Sequence, residues 1–322
     1  MRLFLVRHGE SVDNVAGLYA GIRDSPLTNH GVLQARRLGA HLASRSSPIG
    51  PVQTIFSSNL RRAVRTAEAV AEAQAAVAGV VDVPAVVQLA ELREKDFGSD
   101  EGKRFGTRGQ AAGASARPID WVEPESRDAM KTRVDRFIKM HLVPTVIRGF
   151  ESDANHSVVI VAHGIILNVL LRSLLSRFGP DELTRLSRPG VASGRPESLA
   201  SWSNTGYLEA NLRLVKKSVA TAPVGSKSSP LSVPQGASTN TGLATTGVNE
   251  VDAPTFAIRM TVQTVNCNHH LSGLKKTRGG IGSAAFDQKQ KTLDSLFSRP
   301  AKKPKLGIGG NGGNGGSSGP MF

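Results

Sequence analysis

The chain has little cysteine and no long apolar run. Cys267 is the one cysteine among its 322 residues, which excludes a disulfide framework and favours a reducing compartment. The first apolar run, Leu3–Val6, is interrupted at once by Arg7 and His8, so it is too short for a secretory signal. No other stretch stays apolar for long enough to cross a bilayer. We therefore expect a soluble intracellular protein without a membrane partner.

Acidic residues are in the minority, at 26 Asp and Glu against 40 Lys and Arg, which gives a formal net charge of +14. Such an excess would suit a protein that binds nucleic acid. Between Lys275 and Lys305, however, nine basic residues stand against two acidic ones, and this net +7 is half of the total. The charge therefore belongs to a terminal segment more than to a fold, and we expect no specific nucleic-acid binding.

Two segments lack the composition of a packed core. Residues 217–254 are rich in Ser, Thr, Pro and Gly, and we interpret them as a disordered insertion. Residues 274–322 are basic and end in a run of Gly, Asn and Ser, which is typical of a disordered tail. One folded domain is therefore predicted over residues 1–216, to which residues 255–273 return as a late strand.

Short apolar runs alternate with helical patterns along this domain. Leu3–Val6, Val52–Phe56 and Val158–Ala162 are typical of buried strands, and Phe256–Val265 alternates apolar and polar residues. Ser57–Asn59 offers capping side chains to the helix that follows the second strand. The helical patterns end near His41, Ala76, Leu142 and Leu175. This alternation implies an α/β fold, a three-layer sandwich whose mostly parallel sheet is flanked by helices.

Two histidines occupy the same position relative to a predicted strand. His8 and His163 each follow a buried strand directly and precede a glycine. Groups at the carboxyl ends of strands in an open α/β sheet converge on one crevice, where ligands bind. A single histidine at a strand end is most often structural, whereas two in equivalent positions are candidates for one site.

The surroundings of these histidines would suit a phosphate group. Arg7 precedes His8, and Asn14 follows in a polar loop. A helix N-terminus and arginine side chains both favour an anion. The spacing leaves open which arginine faces inward, and a solvated basic helix face is the alternative. These arginines are Arg61, Arg62 and Arg65, at the start of the helix predicted to follow Ser57–Asn59.

Five motifs resemble the histidine phosphatase superfamily, also called phosphoglycerate mutase-like. Residues 7–14 read R-H-G-E-S-V-D-N, which is similar to the family signature R-H-G-E-S-x-x-N. The resemblance covers about residues 1–215 together with the strand near Phe256. The four further motifs follow in family order: Asp24–Thr28, Leu60–Glu68, Leu92–Gly98 and His163–Gly164.

The resemblance implies a phosphatase that needs no cofactor or metal ion. His8 would be the nucleophile that accepts the phosphoryl group, and His163 would be a second catalytic residue that binds the phosphate oxygens. Cationic and donor groups would neutralise the charge of the transferred group. The further phosphate-binding residues would be Arg7, Asn14, Gly21 and Arg62.

The proton donor follows from the match of Leu92-Arg93-Glu94 to a family motif. Glu94 would protonate the leaving oxygen and then deprotonate the water that attacks phosphohistidine. Glu91 and Asp96 are nearby alternatives.

The segment after Gly102 departs from that of the glycolytic mutases. It lacks their paired arginines and tyrosine-rich stretch, and residues 103–120 are typical of a mobile surface excursion. Mutases also need a cap that keeps water from the phosphoenzyme. Hydrolysis of a small phosphorylated substrate or a phosphoprotein is therefore expected, with a mutase as the alternative. Residues 103–127, which include Trp121, would set the substrate.

The tail carries two short motifs of its own. One resembles the motif that binds the DNA sliding clamp PCNA, although Leu296 stands where an aromatic residue is usual. The alternative function is therefore a clamp-binding nuclear adaptor, and we expect the protein in the cytoplasm, the nucleus or both. The clamp-binding positions are Gln290, Leu293, Leu296 and Phe297. A run that resembles a nuclear import signal contains Lys302, Lys303 and Lys305.

Cys267, His269 and His270 could be considered as metal ligands. Without a second cluster of ligands, a strand end with polar neighbours explains them better.

Overall fold

A six-stranded sheet lies at the centre of the chain, whose computed structural model describes residues 1–77, 83–106, 119–152, 155–178, 201–216, 256–275 and 280–287. The strands are β1 (Arg2–Arg7), β2 (Val52–Ser58), β3 (Val86–Leu89), β4 (Ser157–Ala162), β5 (Tyr207–Lys216) and β6 (Phe256–Cys267). They run in the spatial order β3-β2-β4-β1-β5-β6. The first four strands pair in parallel, and β5 and β6 pair in antiparallel fashion on the β1 side. The predicted α/β fold is confirmed, with a mixed sheet.

Helices cover both faces of this sheet. The α-helices of the described ranges are α1 (Val12–Ala16), α2 (Asn29–Ser44), α3 (Ser46–Ile49), α4 (Arg61–Gln74), α5 (Arg127–Phe137), α6 (Val143–Glu151) and α7 (Gly164–Phe178). Neighbouring side chains of a strand point to opposite faces, so Leu5 and Ile160 pack with α5 to α7, whereas Val6 and Val161 pack with α2 and α4. Burial on both faces explains the unbroken apolar runs of β1 and β4. None of these described helices is both long and apolar enough to span a membrane.

The N-terminus of α4 is capped from a distance. Ser57–Asn59 is predicted to supply the cap, but β2 continues through Ser58 and the residue at the N-cap position is Leu60. Instead, Oδ1 of Asp24 accepts a hydrogen bond from the backbone N–H of Arg61 at 2.7 Å. A carboxylate is well suited to this place because the helix N-terminus is its positive end.

The predicted helix that ends near Leu142 is longer than expected. A π-helical turn over Ile138–Leu142 joins α5 to α6, which continues to Glu151. Pro144 lies in the first turn of α6, directly after this π-helical turn.

Two segments that follow the predicted insertion pack against the folded domain. β6 pairs with β5 along its length, and β5 itself has no counterpart among the predicted strands. Residues 280–286, assigned to the tail by the sequence, lie against the segment before α2. Asn29 donates to the carbonyl of Ala284 at 3.0 Å, and Phe286 donates to that of Leu27 at 2.9 Å. The described residues up to Phe286 form one compact unit.

Candidate active site

The two histidines singled out by sequence lie side by side at the carboxyl edge of the sheet. Arg7 of β1 pairs with Ala162 of β4, so the next residue of each strand, His8 and His163, emerges at the same level. Their ring centroids are 4.9 Å apart, and their exposed fractions are 3% and 0%. The parallel register therefore brings together two imidazoles that are far apart in sequence.

Arg62 is the arginine of α4 that faces inward. Its guanidinium donates from Nε to Nε2 of His8 at 3.3 Å, and its other nitrogens donate to the carbonyls of Arg23 and Gly21 at 2.7 Å each. Arg61 and Arg65 lie on the outside, where they pair with acidic neighbours. Gly21 thus reaches the pocket through its carbonyl, which fixes the guanidinium of Arg62.

His8 is held in one tautomer. Nδ1 lies 2.6 Å from the carbonyl of Gly9, which can only accept a hydrogen bond, so Nδ1 carries the proton. Nε2 therefore keeps its lone pair, towards which Arg62 points. Burial, then the charges of Arg62 and Arg7, hold the pKa of His8 well below 6.5, although the bond to Gly9 opposes them. The imidazole is consequently neutral and able to act as a nucleophile near neutral pH.

Several buried polar atoms around His8 have no partner within the described residues. These are both ring nitrogens of His163 and Nε of Arg7. Burial, followed by the charges of Arg62, His8 and Arg7, holds the pKa of His163 well below 6.5, so its ring is neutral and offers one N–H donor. Buried polar atoms are nearly always hydrogen-bonded in proteins. Unpartnered N–H groups beside the guanidinium groups of Arg62 and Arg7 indicate a site for an anion.

Glu94 lies next to these guanidinium groups. Its carboxylate accepts hydrogen bonds from the backbone N–H groups of Ile165 and Ile166 at the start of α7, at 3.1 Å each. Burial lowers the pKa of both Arg7 and Arg62, and the charge of Glu94 is the largest influence that opposes it. Glu94 is thus the acidic neighbour that both arginines share.

The two alternatives to Glu94 are engaged elsewhere. Glu91 pairs with Arg136 on α5 at 3.2 Å, and Asp96 accepts from the N–H of Gly98 at 2.6 Å. Arg133 of α5 fixes this segment from behind. Its guanidinium donates to the carbonyls of three residues in the segment and pairs with the carboxylate of Glu125 at 2.7 Å. The three carbonyls belong to Glu91, Arg93 and Glu94.

A loop before β5 contacts the site and was missed by sequence reasoning. The carbonyl of Trp202 accepts a hydrogen bond from the guanidinium of Arg7. Nδ2 of Asn204 donates to the carbonyl of His8 at 3.2 Å and to Oδ1 of Asn14 at 3.1 Å. Asn14 is thereby oriented within the N-terminal loop. No motif marks this loop in the sequence, because its residues act mainly through backbone and amide groups.

The described part of the predicted specificity segment contains an aromatic group. Phe105 lies edge-on to Tyr19 with ring centroids 4.8 Å apart, and Nζ of Lys103 lies 4.7 Å from the ring centroid of Trp121. Tyr19 lies two residues before Gly21, whose carbonyl accepts a hydrogen bond from Arg62. Residues 107–118 of that segment lie outside the described residues.

The remaining predictions concern metals and the tail. In the described ranges, no group of three or more His, Cys, Asp or Glu side chains could hold a metal ion. The insertion at 217–254 lies outside the described residues, as does the tail from residue 288. This also applies to the predicted clamp-binding residues Gln290, Leu293, Leu296 and Phe297 and to the import residues Lys302, Lys303 and Lys305.

Residues 3–193 match the histidine phosphatase superfamily, branch 1. The chain belongs to this superfamily. The match includes every site residue predicted from Arg7 to His163, and it ends before the loop at Trp202–Gly206.

Relatives of this histidine phosphatase have several activities. A protein of Schizosaccharomyces pombe named "probable phosphatase" is 29% identical over 296 residues, which cover 92% of this chain and 79% of that protein. An adenosylcobalamin/alpha-ribazole phosphatase of Salmonella typhimurium is 36% identical over 183 residues, 55% of this chain and 80% of the relative. A 2,3-bisphosphoglycerate-dependent phosphoglycerate mutase of Azorhizobium caulinodans is 30% identical over 204 residues, 60% of this chain and 89% of the relative. Family and relatives together make the chain a phosphatase, a hydrolase.

Solved structures share the fold. The structure titled mycobacterial hydrolase 2 is 20% identical, has a TM-score of 0.52, and covers 82% of this chain and 90% of its own. A mycobacterial glucosyl-3-phosphoglycerate phosphatase in complex with inorganic phosphate is 18% identical, has a TM-score of 0.51, and covers 84% and 98%. At these identities the likeness concerns the fold alone.

Proposed function

We propose that this phosphatase hydrolyses phosphate monoesters through a phosphohistidine formed on Nε2 of His8, with Glu94 as the proton donor. The observation that carries the proposal is the buried contact of His8 with Arg62 and His163. It places a neutral imidazole beside guanidinium groups and unpartnered polar atoms. That combination suits attack on an anion whose oxygens are held by cations.

In the first step, the lone pair of His8 Nε2 forms a bond to phosphorus while the bond from phosphorus to the ester oxygen breaks. Glu94 gives its proton to the departing oxygen, which leaves as a neutral alcohol. The phosphoryl oxygens accept hydrogen bonds from the buried donors around them, and these donors stabilise the transition-state charge. The donors are Arg7, Arg62 and His163.

In the second step, the Glu94 carboxylate takes a proton from water, and the water oxygen forms a bond to phosphorus. The bond between phosphorus and Nε2 breaks, inorganic phosphate leaves, and His8 regains its lone pair. Glu94 ends protonated, as it began, so one water is consumed per ester hydrolysed.

Glu94 must hold a proton when the substrate is bound. In the substrate-free site its carboxylate accepts hydrogen bonds from two N–H groups of α7. A phosphate dianion disfavours a second negative charge beside it, so the proposal has Glu94 protonated when the substrate is bound.

Replacement of the nucleophile tests the proposal. His8→Ala is expected to lower kcat with p-nitrophenyl phosphate by at least ~10³-fold, because the N–P bond no longer forms. His269→Ala, at an exposed position, is the control and should retain the wild-type rate. An acid-labile, base-stable phosphoenzyme should be trapped from the wild type alone. Turnover by His8→Ala at the wild-type rate would exclude the proposed nucleophile.

The role of Glu94 as a proton donor can be tested by comparing two substrates whose leaving groups differ in their need for a proton. Glu94→Gln should lower kcat by about 10²- to 10⁴-fold for an alkyl phosphate, whose oxygen needs protonation, and by less for p-nitrophenyl phosphate. Glu91→Gln is the matched control, since Glu91 pairs with Arg136 instead. Equal losses on both substrates would assign Glu94 to structure and not to proton transfer.

A mutase is the alternative within the same chemistry, and one of the relatives carries that name. Incubation with 3-phosphoglycerate distinguishes the two: a phosphatase releases inorganic phosphate, and a mutase forms 2-phosphoglycerate.

The tail motif stays a separate proposal, in which Gln290, Leu293 and Phe297 dock the protein on PCNA in the nucleus. Calorimetry of the full chain against PCNA, with Phe297→Ala as the comparison, tests it. Identical heats from both proteins would contradict the motif.

A further inference from the structure

The loop Trp202–Gly206 holds the backbone that carries the nucleophile. The backbone N–H of Thr205 donates to the carbonyls of both Arg7 and His8, at 3.0 and 3.2 Å. Asn204 adds its amide bond to the His8 carbonyl. The direction in which His8 leaves β1 therefore depends on where this loop lies.

Thr205 occupies a conformation that its side chain resists. Its φ is +55°, in the left-handed region, which is rare for a β-branched residue. Such a conformation persists only where the surroundings impose it. The side chain of Thr205 is fully buried, so its hydroxyl must be satisfied within the protein.

The hydroxyl of Thr205 is bound on both sides. It donates to the carbonyl of Asn204 at 2.8 Å, and its oxygen lies 3.0 Å from Nε2 of His270. Because its one proton is given to Asn204, the oxygen accepts, and His270 carries its proton on Nε2. His270 is 9% exposed, and its ring centroid lies 5.8 Å from that of His41 and 5.9 Å from that of Tyr207. Its ring is therefore packed in place and aimed at Thr205.

Asn266, at the end of β6, makes a second set of hydrogen bonds to the same loop. Oδ1 of Asn266 accepts from the N–H of Ser203 at 2.8 Å, and Nδ2 of Asn266 donates to Oγ of Ser203 at 3.1 Å. A Cβ at Gly206 would lie 2.2 Å from Oδ1 of Asn266, so the approach of this amide requires the glycine. His270 and Asn266 both lie beyond residue 193, where the match to the superfamily ends.

We infer that His270 is a positioning residue for the reaction at His8, acting through Thr205 on the backbone of Arg7 and His8, with Asn266 as a second anchor of the same loop. The inference rests on the proposed reaction at His8. The segment that contains Asn266 and His270 thereby fixes the orientation of His8. Misplacement of a reacting atom by about 1 Å can cost ~10²-fold in rate, so loss of this contact should lower kcat.

The test compares variants of the full-length protein. His270→Leu removes the donor, whereas His270→Gln places an amide N–H close to the position of Nε2. We expect His270→Leu to lower kcat by ~10- to 10²-fold with little change in KM, and His270→Gln to restore most of it. His269→Ala, one residue away and exposed, should match the wild type.

A double-mutant cycle tests whether His270 affects kcat through the hydroxyl of Thr205. Thr205→Val removes the hydroxyl and keeps the branched shape. If the path is correct, His270→Leu adds little to Thr205→Val, because both variants break the same bond. Additive losses, or a His270→Gln variant as slow as His270→Leu, would overturn the inference. Should His270→Leu fail to fold, the Thr205→Val and His270→Gln rates decide the question.

The failure of this inference is distinguishable from that of the proposed reaction. If His8→Ala retains activity, the nucleophile is wrong. If activity depends on His8 but is unchanged in His270→Leu and Thr205→Val, only the positioning role is wrong. The ¹⁵N signals of His8 add a readout independent of turnover, and they should shift in His270→Leu and return in His270→Gln.

Discussion

At the scale of single residues, the placement of one proton governs the site. The Gly9 carbonyl holds the proton of His8 on Nδ1, and burial, followed by the positive charges of Arg62 and Arg7, lowers the pKa for a second one. The same cations that would bind the phosphate thus help to keep the proposed nucleophile neutral. An unusual nucleophile is not needed, because the environment supplies both its orientation and its protonation state.

Arg62 is expected to be irreplaceable by lysine. Its guanidinium reaches His8, Arg23 and Gly21 at once, and a single ammonium group cannot reproduce this planar fork. We expect Arg62→Lys to lower kcat/KM by ~10²-fold or more, measured with p-nitrophenyl phosphate. Arg65→Lys, on the exposed face of the same helix, is the control and should be neutral. A mild effect of Arg62→Lys would mean that charge alone suffices.

Site residues differ in how much the sequence reveals of them. His8 and His163 could be placed because each directly follows a buried strand. Among the arginines of α4, the sequence left the choice open, and the resemblance to a family favoured the buried one. Asn204 and Thr205 could not be found, since their contributions depend on a left-handed backbone and on a partner far along the chain.

At the scale of elements, α5 and α7 support the acidic side of the site from opposite directions. α7 offers its first N–H groups to the carboxylate of Glu94, and Arg133 of α5 holds the carbonyls around it. The central strands were predictable because burial on both faces leaves unbroken apolar runs. β5 and α1 were missed: β5 is an antiparallel strand with mixed residues, and α1 is a five-residue helix that depends on a capping box at Ser11.

Loss of Arg133 should act on catalysis through the Glu94 segment. Arg133→Met keeps the length of the side chain but releases three backbone carbonyls and Glu125. We expect a lower kcat for alkyl phosphates and a smaller effect for p-nitrophenyl phosphate, because the proton donor is displaced. Arg136→Met, which removes an exposed pair with Glu91, is the control. Equal losses for both kinds of substrate would contradict this role.

At the scale of the whole molecule, neutral buried histidines make folding depend on pH. Burial, followed by the charges of His41 and Arg37, lowers the pKa of His270 from 6.5 to about 4. The pKa values of His8 and His163 are lowered for related reasons. Below pH 6.5 these histidines bind protons in the unfolded chain but stay neutral in the folded chain. Stability is therefore complete above this pH and falls as the pH decreases towards the folded pKa values.

Denaturation with urea at several pH values measures this dependence. His270 alone should account for a loss on the order of 3 kcal/mol between pH 6.5 and 4, from a shift of 6.5 to about 4. His270→Gln should reduce the slope of the unfolding free energy in this range, and His269→Gln should leave it unchanged. Equal slopes in all three proteins would mean that His270 titrates normally in the folded state.

The contact between Thr205 and His270 also has a consequence for biosynthesis. His8, the proposed nucleophile, is made about 260 residues before His270, the side chain that steadies its loop. At ~5–20 residues per second, the ribosome takes tens of seconds to cover that distance. A nascent chain can therefore build β1 to β4 and bring both imidazoles together well before His270 is available, so full catalytic competence should arise only after His270 has been made.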